Sequence, residues 1–157
     1  MRRIPLLALS LVMLSTTLTY AQKKVISPEG MSLDLPFSPA VMSGDFLYLA
    51  GQIGNKPGSL NLPSGIENQV RQTMENLGAV LKAAGMDFSR VVSSNVYLSD
   101  ARDFQVMNDV YKTYFKESPP IRATVQADVA IPGALVEISM IAARTGVERK
   151  VIKPSKM

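Results

Sequence analysis

From residue 36 onward the chain switches between two hydrophobic periods. Residues 38–53, SPAVMSGDFLYLAGQI, alternate apolar and polar positions around Ser43, Gly44 and Asp45, which predicts two short strands joined by a tight turn. Ile66, Val70, Met74, Leu77, Val80, Leu81 and Ala84 then recur at helical spacing, and Gly85 supplies a stop. Residues 90–98, RVVSSNVYL, are rich in β-branched side chains and read as a third strand. Asp100 is placed to cap a second helix, with Phe104, Met107, Val110, Tyr111 and Tyr114 on one stripe. After Pro119 and Pro120, the run IRATVQADVAIPGALVEISMIAAR reads as two more strands about a turn near Ile131 and Pro132. The order is ββαβαββ, an α+β fold with one sheet and two helices on one of its faces.

The last two strands each carry a charge, Arg122 in one and Glu137 in the other. Desolvating a charge costs several kcal/mol unless a partner recovers it, so strand interiors rarely hold one. Read as a hairpin, the pair should choose the register that matches Ile121, Ala123 and Val125 to Val136, Ile138 and Met140. Arg122 and Glu137 then share the opposite face. Arg122 lies about four residues farther from the turn, so the two are offset by about 13 Å at about 3.3 Å per residue. A small molecule or another chain could fill that gap; an exposed face with scattered charges is the plainer alternative. Leu135 and Ile141 share this face too, and two helices cannot cover both sides of the sheet. That predicts burial against another subunit.

The ends differ from the middle. Residues 1–21, MRRIPLLALSLVMLSTTLTYA, place two arginines before an apolar run and end in small and polar residues, the order of a secretory signal cleaved after Ala21. The apolar run is shorter than the roughly 20 residues a membrane span needs. The expected product is a periplasmic or secreted protein, with no membrane attachment after cleavage. Residues 22–35 form a lead-in, 36–144 the domain, and 145–157 a basic tail without apolar periodicity that is expected to be flexible.

Composition narrows the chemistry. The chain has no His and no Cys, which removes Ser-His-Asp and Cys-His nucleophilic machinery and leaves only carboxylates for a zinc site. Acid–base work must fall to carboxylates, Lys, Tyr, backbone groups or water. The formal charge of +4 is a property of the ends: residues 25–143 hold eight Lys and Arg against twelve Asp and Glu. An acidic domain argues against a nucleic-acid partner.

Five segments in order carry a family resemblance: LAGQI at 49–53, NLGAVLKAAG at 76–85, YLSDARDF at 97–104, NDVY at 108–111, and a PxRxT motif from Pro120 followed by VEI at 136–138. Over 36–144 the chain resembles the RidA/YjgF-like (Rid) family of imine deaminases. The resemblance implies a chorismate-mutase-like α+β fold with one mixed sheet, a homotrimer with ligand clefts between subunits, and no metal or cofactor. It implies hydrolysis of reactive 2-imino or enamino acids to 2-oxo acids and ammonia, as in a 2-iminobutanoate/2-iminopropanoate deaminase. By the same resemblance Arg122 and Glu137 are the catalytic residues, Arg122 clamping the substrate carboxylate and Glu137 activating water. Asn108, Thr124, Phe37 and the backbone of Gly51 would complete the substrate site.

Three positions depart from the family pattern. Phe37 stands where a tyrosine often follows the proline, Ala50 where Ser or Thr often precedes Gly-Gln, and Thr124 where archetypal members have Cys. The missing hydroxyls bear on substrate preference. An exported member would meet imines made outside the cytoplasm, by oxidases or dehydrogenases acting on amino acids. The alternative function is a non-catalytic trimer of the same fold that binds small carboxylates or protects other proteins. A ribonuclease, claimed for some relatives, fits the acidic, His-free domain less well.

Overall fold

The computed structural model describes residues 22–30 and 36–145. The signal expected at 1–21 and nearly all of the basic tail lie outside the described residues. Six strands form one mixed sheet: β1 (Lys24–Ile26), β2 (Ala40–Ser43), β3 (Phe46–Ile53), β4 (Val91–Leu98), β5 (Ile121–Gln126) and β6 (Val136–Ala143), in the spatial order β1-β2-β3-β6-β4-β5. Two helices, α1 (Ile66–Ala83) and α2 (Phe104–Tyr111), complete the ββαβαββ order that the hydrophobic periods predict. The sequence reading missed β1, a three-residue strand in the lead-in that pairs with β2.

The core lies between the helices and one face of the sheet. Val70, Met74, Leu77, Val80 and Leu81 of α1 are fully buried, with Leu47 of β3, Val96 of β4, and Val136 and Ile138 of β6. Burying a side chain of this size contributes about 1.5–3 kcal/mol, so this stripe holds α1 to the sheet. Three polar residues of α1, Gln69, Thr73 and Asn76, are buried with it, two of them to bind backbone outside the helix. Gln69 donates to the carbonyls of Pro63 and Gly133 and accepts from the Leu135 N–H at 2.8 Å, tying the start of β6 to the helix. Asn76 donates to the carbonyls of Ile53 and Asn55. Each satisfies loop backbone that would otherwise be buried unpaired.

Asp100 caps as expected, but over a short 3-10 turn: its side chain accepts from the N–H of Arg102, and the turn runs into α2 at Phe104. Among the described residues no helix is long and apolar enough to cross a membrane.

The last two strands do not form a hairpin. β4 lies between them, parallel to β5 and antiparallel to β6. The β4–α2–β5 segment is a strand–helix–strand crossover, which returns β5 beside β4 in the same direction. The loop after β5 then carries the chain past the end of β4 to its other side. There Ala127 donates to the carbonyl of Leu98 and Ser99 to that of Leu135.

This pairing overturns the expected placement of Arg122 and Glu137 on one face. Residues opposite one another on neighbouring strands point to the same side. One such row runs Ile26, Ala40, Leu49, Met140, Ser94, Arg122 across all six strands, on the helix side. Another runs Ile53, Glu137, Tyr97, Val125, on the side without helices. Arg122 and Glu137 therefore point to opposite sides of their own sheet.

Candidate functional site

The helix-free side is more apolar than Leu135 and Ile141 alone suggested. A row across the six strands reads Val25, Val41, Tyr48, Ile141, Ser93, Ile121. Of these, Ile121 is 75% exposed, Val25 52% and Tyr48 47%. β5 contributes by inverting the usual pattern: Ile121 and Val125 face the open side, while Arg122 and Thr124 face the helices.

Glu137 stands on this open side, half-buried in the middle of the sheet. The ladder between β3 and β6 is irregular between Leu49 and Gln52, so the Ala50-Gly51 step lies out of register against β6. The bulge sets the Gly51 backbone directly beside the Glu137 side chain. A Cβ on residue 51 would overlap the Glu137 carboxylate. Glycine lets the backbone and the carboxylate approach this closely.

Arg122 stands on the helix side at the sheet's edge, in contact with α2. Its Nη2 donates to Asn108 Oδ1 at 2.6 Å, and Nη1 lies 3.9 Å from Met107 Sδ. The guanidinium carbon is 4.8 Å from the centre of the Tyr111 ring and 5.9 Å from that of Phe104. Arg122, Asn108, Tyr111, Phe115 and the Pro119-Pro120 pair line an open hollow of about 450 Å³. A larger depression of about 690 Å³, around Phe88 and Tyr114, holds none of the candidate residues.

Behind Arg122, Ser94 Oγ, Tyr111 Oη and Thr124 Oγ1 are buried without a hydrogen-bond partner among the described residues. Burial pushes the Tyr111 phenol above its ordinary pKa, against the pull of the nearby Ser94 hydroxyl and of the Arg122 charge. Ser94 and Tyr111 are thus neighbours whose hydroxyls lack good hydrogen-bond geometry.

The structure therefore gathers Arg122, Asn108 and Thr124 at the α2 edge, and Glu137 and Gly51 on the far side of the sheet. Phe37 is 54% exposed in the bend before β2. Among the described residues no cluster of three or more acidic side chains could hold a metal. Sequence reasoning missed Tyr111 and Ser94 as neighbours of Arg122. Tyr111 was visible as one position of an apolar helix stripe and as the end of the NDVY segment, and its apposition to Arg122 depends on how α2 docks on β5.

Fold and side-chain placement together describe an α+β protein with one mixed sheet, helices on one side, and a basic and an acidic group on opposite sides. Comparison with known proteins gives this class a family. The model described as Endoribonuclease L-PSP matches residues 31–144. The 2-iminobutanoate/2-iminopropanoate deaminase of Bos taurus is 44% identical over 108 residues, 68% of this chain and 79% of the bovine one. The human protein of that name is 42% identical over the same length. RutC family protein PH0854 of Pyrococcus horikoshii is 41% identical over 122 residues, covering 76% of this chain and 97% of its own. Among solved structures, RidA from an Antarctic Psychrobacter matches with a TM-score of 0.72 at 35% identity, over 76% of this chain and 98% of that one. The chain belongs to the RidA/YjgF (Endoribonuclease L-PSP) family.

Proposed function

We propose that the protein is a deaminase that hydrolyses reactive 2-imino and enamino acids to 2-oxo acids and ammonia, in clefts between the protomers of a homotrimer. The observation that carries this reading is the separation of Arg122 and Glu137 onto opposite sides of one sheet, in a chain 42–44% identical to proteins named imine deaminases. β5 and β6 are two strand positions apart, about 10 Å, and the sheet itself lies between the two side chains. A three- or four-carbon imino acid cannot span that within one chain. A second protomer whose β5–α2 edge lay against the open face of the first would bring its Arg122 to the first protomer's Glu137.

In such a cleft Arg122 presents a planar fork to the substrate carboxylate, an arrangement suited to two parallel N–H···O bonds. Glu137 accepts a proton from water as the water oxygen bonds to C2, and the C=N electron pair moves to nitrogen, which is protonated. Glu137 gives that nitrogen the proton it took from water. The resulting carbinolamine then passes its hydroxyl proton, by way of the same carboxylate, to the amino group, which leaves as ammonia while the C2 carbonyl forms. No electrons are exchanged, so no redox partner enters the balance. Thr124 and Asn108 flank Arg122, and Gly51 leaves space for the carboxylate of Glu137. Phe37, exposed ahead of β2, would contribute ring surface where many relatives carry a phenol.

The signal-like order of residues 1–21 supports a periplasmic or secreted location and a mature chain that begins near Gln22. Terminal mass spectrometry checks this, and an intact Met1 on cytoplasmic protein would sink it.

Activity is tested by generating 2-iminopropionate or 2-iminobutyrate in place with an amino-acid oxidase and following imine decay against a semicarbazide trap. The mature protein should accelerate decay in proportion to its concentration. Tight binding of 2-oxobutyrate with no acceleration would assign it instead to non-catalytic carboxylate binding.

A further inference from the structure

Arg122 lies over an aromatic ring as well as against Asn108. The Tyr111 ring lies 4.8 Å from the guanidinium carbon, nearer than Phe104 at 5.9 Å. The two rings differ in freedom. Phe104 is 43% exposed, whereas Tyr111 is 5% exposed and packs on Phe115 with ring centres 4.8 Å apart. Tyr111 therefore cannot swing away from the guanidinium.

A guanidinium stacked on an aromatic face keeps its in-plane edges, where all its N–H groups lie, free for other partners. One N–H of Nη2 goes to Asn108, and Arg122 still lines the open hollow. The Tyr111 hydroxyl does not explain why an aromatic stands here. Among the described residues it is buried with only the Ser94 hydroxyl nearby and out of good hydrogen-bond geometry, an arrangement that costs stability. What the site uses is the ring.

We propose that Tyr111 is a positioning residue for the Arg122 clamp, its π face fixing the guanidinium plane so that two parallel N–H groups meet the substrate carboxylate. This rests on the deaminase reading above. Tilting that plane weakens binding of substrate and transition state alike, so KM should rise while kcat changes little.

The test keeps the shape of the ring and drains its π face. In the full mature chain, residue 111 is replaced by Phe and then by mono-, di- and trifluorinated phenylalanine. Calorimetry gives the Kd for 2-oxobutyrate, and the coupled imine assay gives KM and kcat. Relative to the Phe parent, Kd and KM should climb with each fluorine to about tenfold, with kcat within about twofold and the melting temperature unmoved. Tyr111→Phe itself should melt close to wild type, because the hydroxyl it removes has no well-formed hydrogen bond among the described residues. A Kd that stays flat across the series overturns the proposal.

Arg122→Ala separates this from failure of the underlying reading. If Arg122→Ala abolishes 2-oxobutyrate binding while the fluorine series is flat, the clamp stands and the role of Tyr111 falls. If Arg122→Ala binds 2-oxobutyrate like wild type, the clamp falls and the proposal with it.

Discussion

The carboxylate of Glu137 occupies the space in which a side chain on residue 51 would begin. The irregular step between Leu49 and Gln52 makes this possible, by bringing the Gly51 backbone against a side chain from the neighbouring strand. Glycine and carboxylate form one structural unit, although 86 positions separate them in the chain.

Gly51→Ala should therefore displace Glu137 without unfolding the sheet. The new methyl and the carboxylate cannot coexist, and the long Glu side chain is the part able to move. A displacement of about 1 Å in a reacting group costs roughly 10²-fold in rate. Turnover should fall by about that factor while 2-oxobutyrate still binds at Arg122. Unchanged turnover would show that the position of Glu137 against Gly51 is irrelevant to the chemistry.

The apolar row Val25, Val41, Tyr48, Ile141, Ser93, Ile121 makes a separate claim about assembly. In an isolated chain Tyr48→Glu changes an exposed position and should cost at most about 0.5 kcal/mol. In an assembly that buries this face, it places an unpaired charge in the contact. Light scattering should give a trimer for the wild type and a monomer for Tyr48→Glu. A wild-type monomer at micromolar concentration would remove both the trimer and the shared cleft.

The strongly periodic parts of this fold were legible in the sequence. Helix α1 shows itself through Val70, Met74, Leu77 and Leu81, and β4 through its β-branched run, because burial on one face imposes a period. Strand β1 was not legible, since three residues carry no period and pair only because β2 offers an edge. Alternation in β5 and β6 was read correctly, but it tells which side chains share a face of one strand, never which strand lies alongside. The error over Arg122 followed from that. β5 turns its polar residues toward α2 and its apolar ones outward, a choice that depends on the Asn108 and Tyr111 contacts. Gly51 was named through resemblance, and the reason for it became visible only with Glu137 beside it.

Gln69 supplies a test of how the site is held. Its side chain joins Pro63, Gly133 and Leu135, so it fixes the entry into β6 two residues before Glu137. Gln69→Leu keeps the volume but leaves the Gly133 carbonyl and the Leu135 N–H without that partner, at a cost of about 1–3 kcal/mol. Denaturant unfolding should register that loss. Stability equal to wild type would mean that water or a shifted loop replaces the side chain.

The opposed placement of Arg122 and Glu137 allows a test that no single variant provides. Arg122→Ala should lose carboxylate binding and turnover together. Glu137→Gln keeps the shape but cannot take a proton from water, so it should bind 2-oxobutyrate and lose turnover by about 10² to 10⁴. The two inactive proteins are then unfolded together and refolded as mixed assemblies. If each cleft takes Arg122 from one protomer and Glu137 from its neighbour, some clefts receive the intact residue from both. With random mixing at equal amounts about a quarter of the clefts qualify, so activity should return to about a quarter of wild type. If both groups came from the same protomer, every cleft would lack one of them and the mixture would stay inactive. Refolded mixtures that show trimers by light scattering but no recovered turnover would rule out a site shared between protomers.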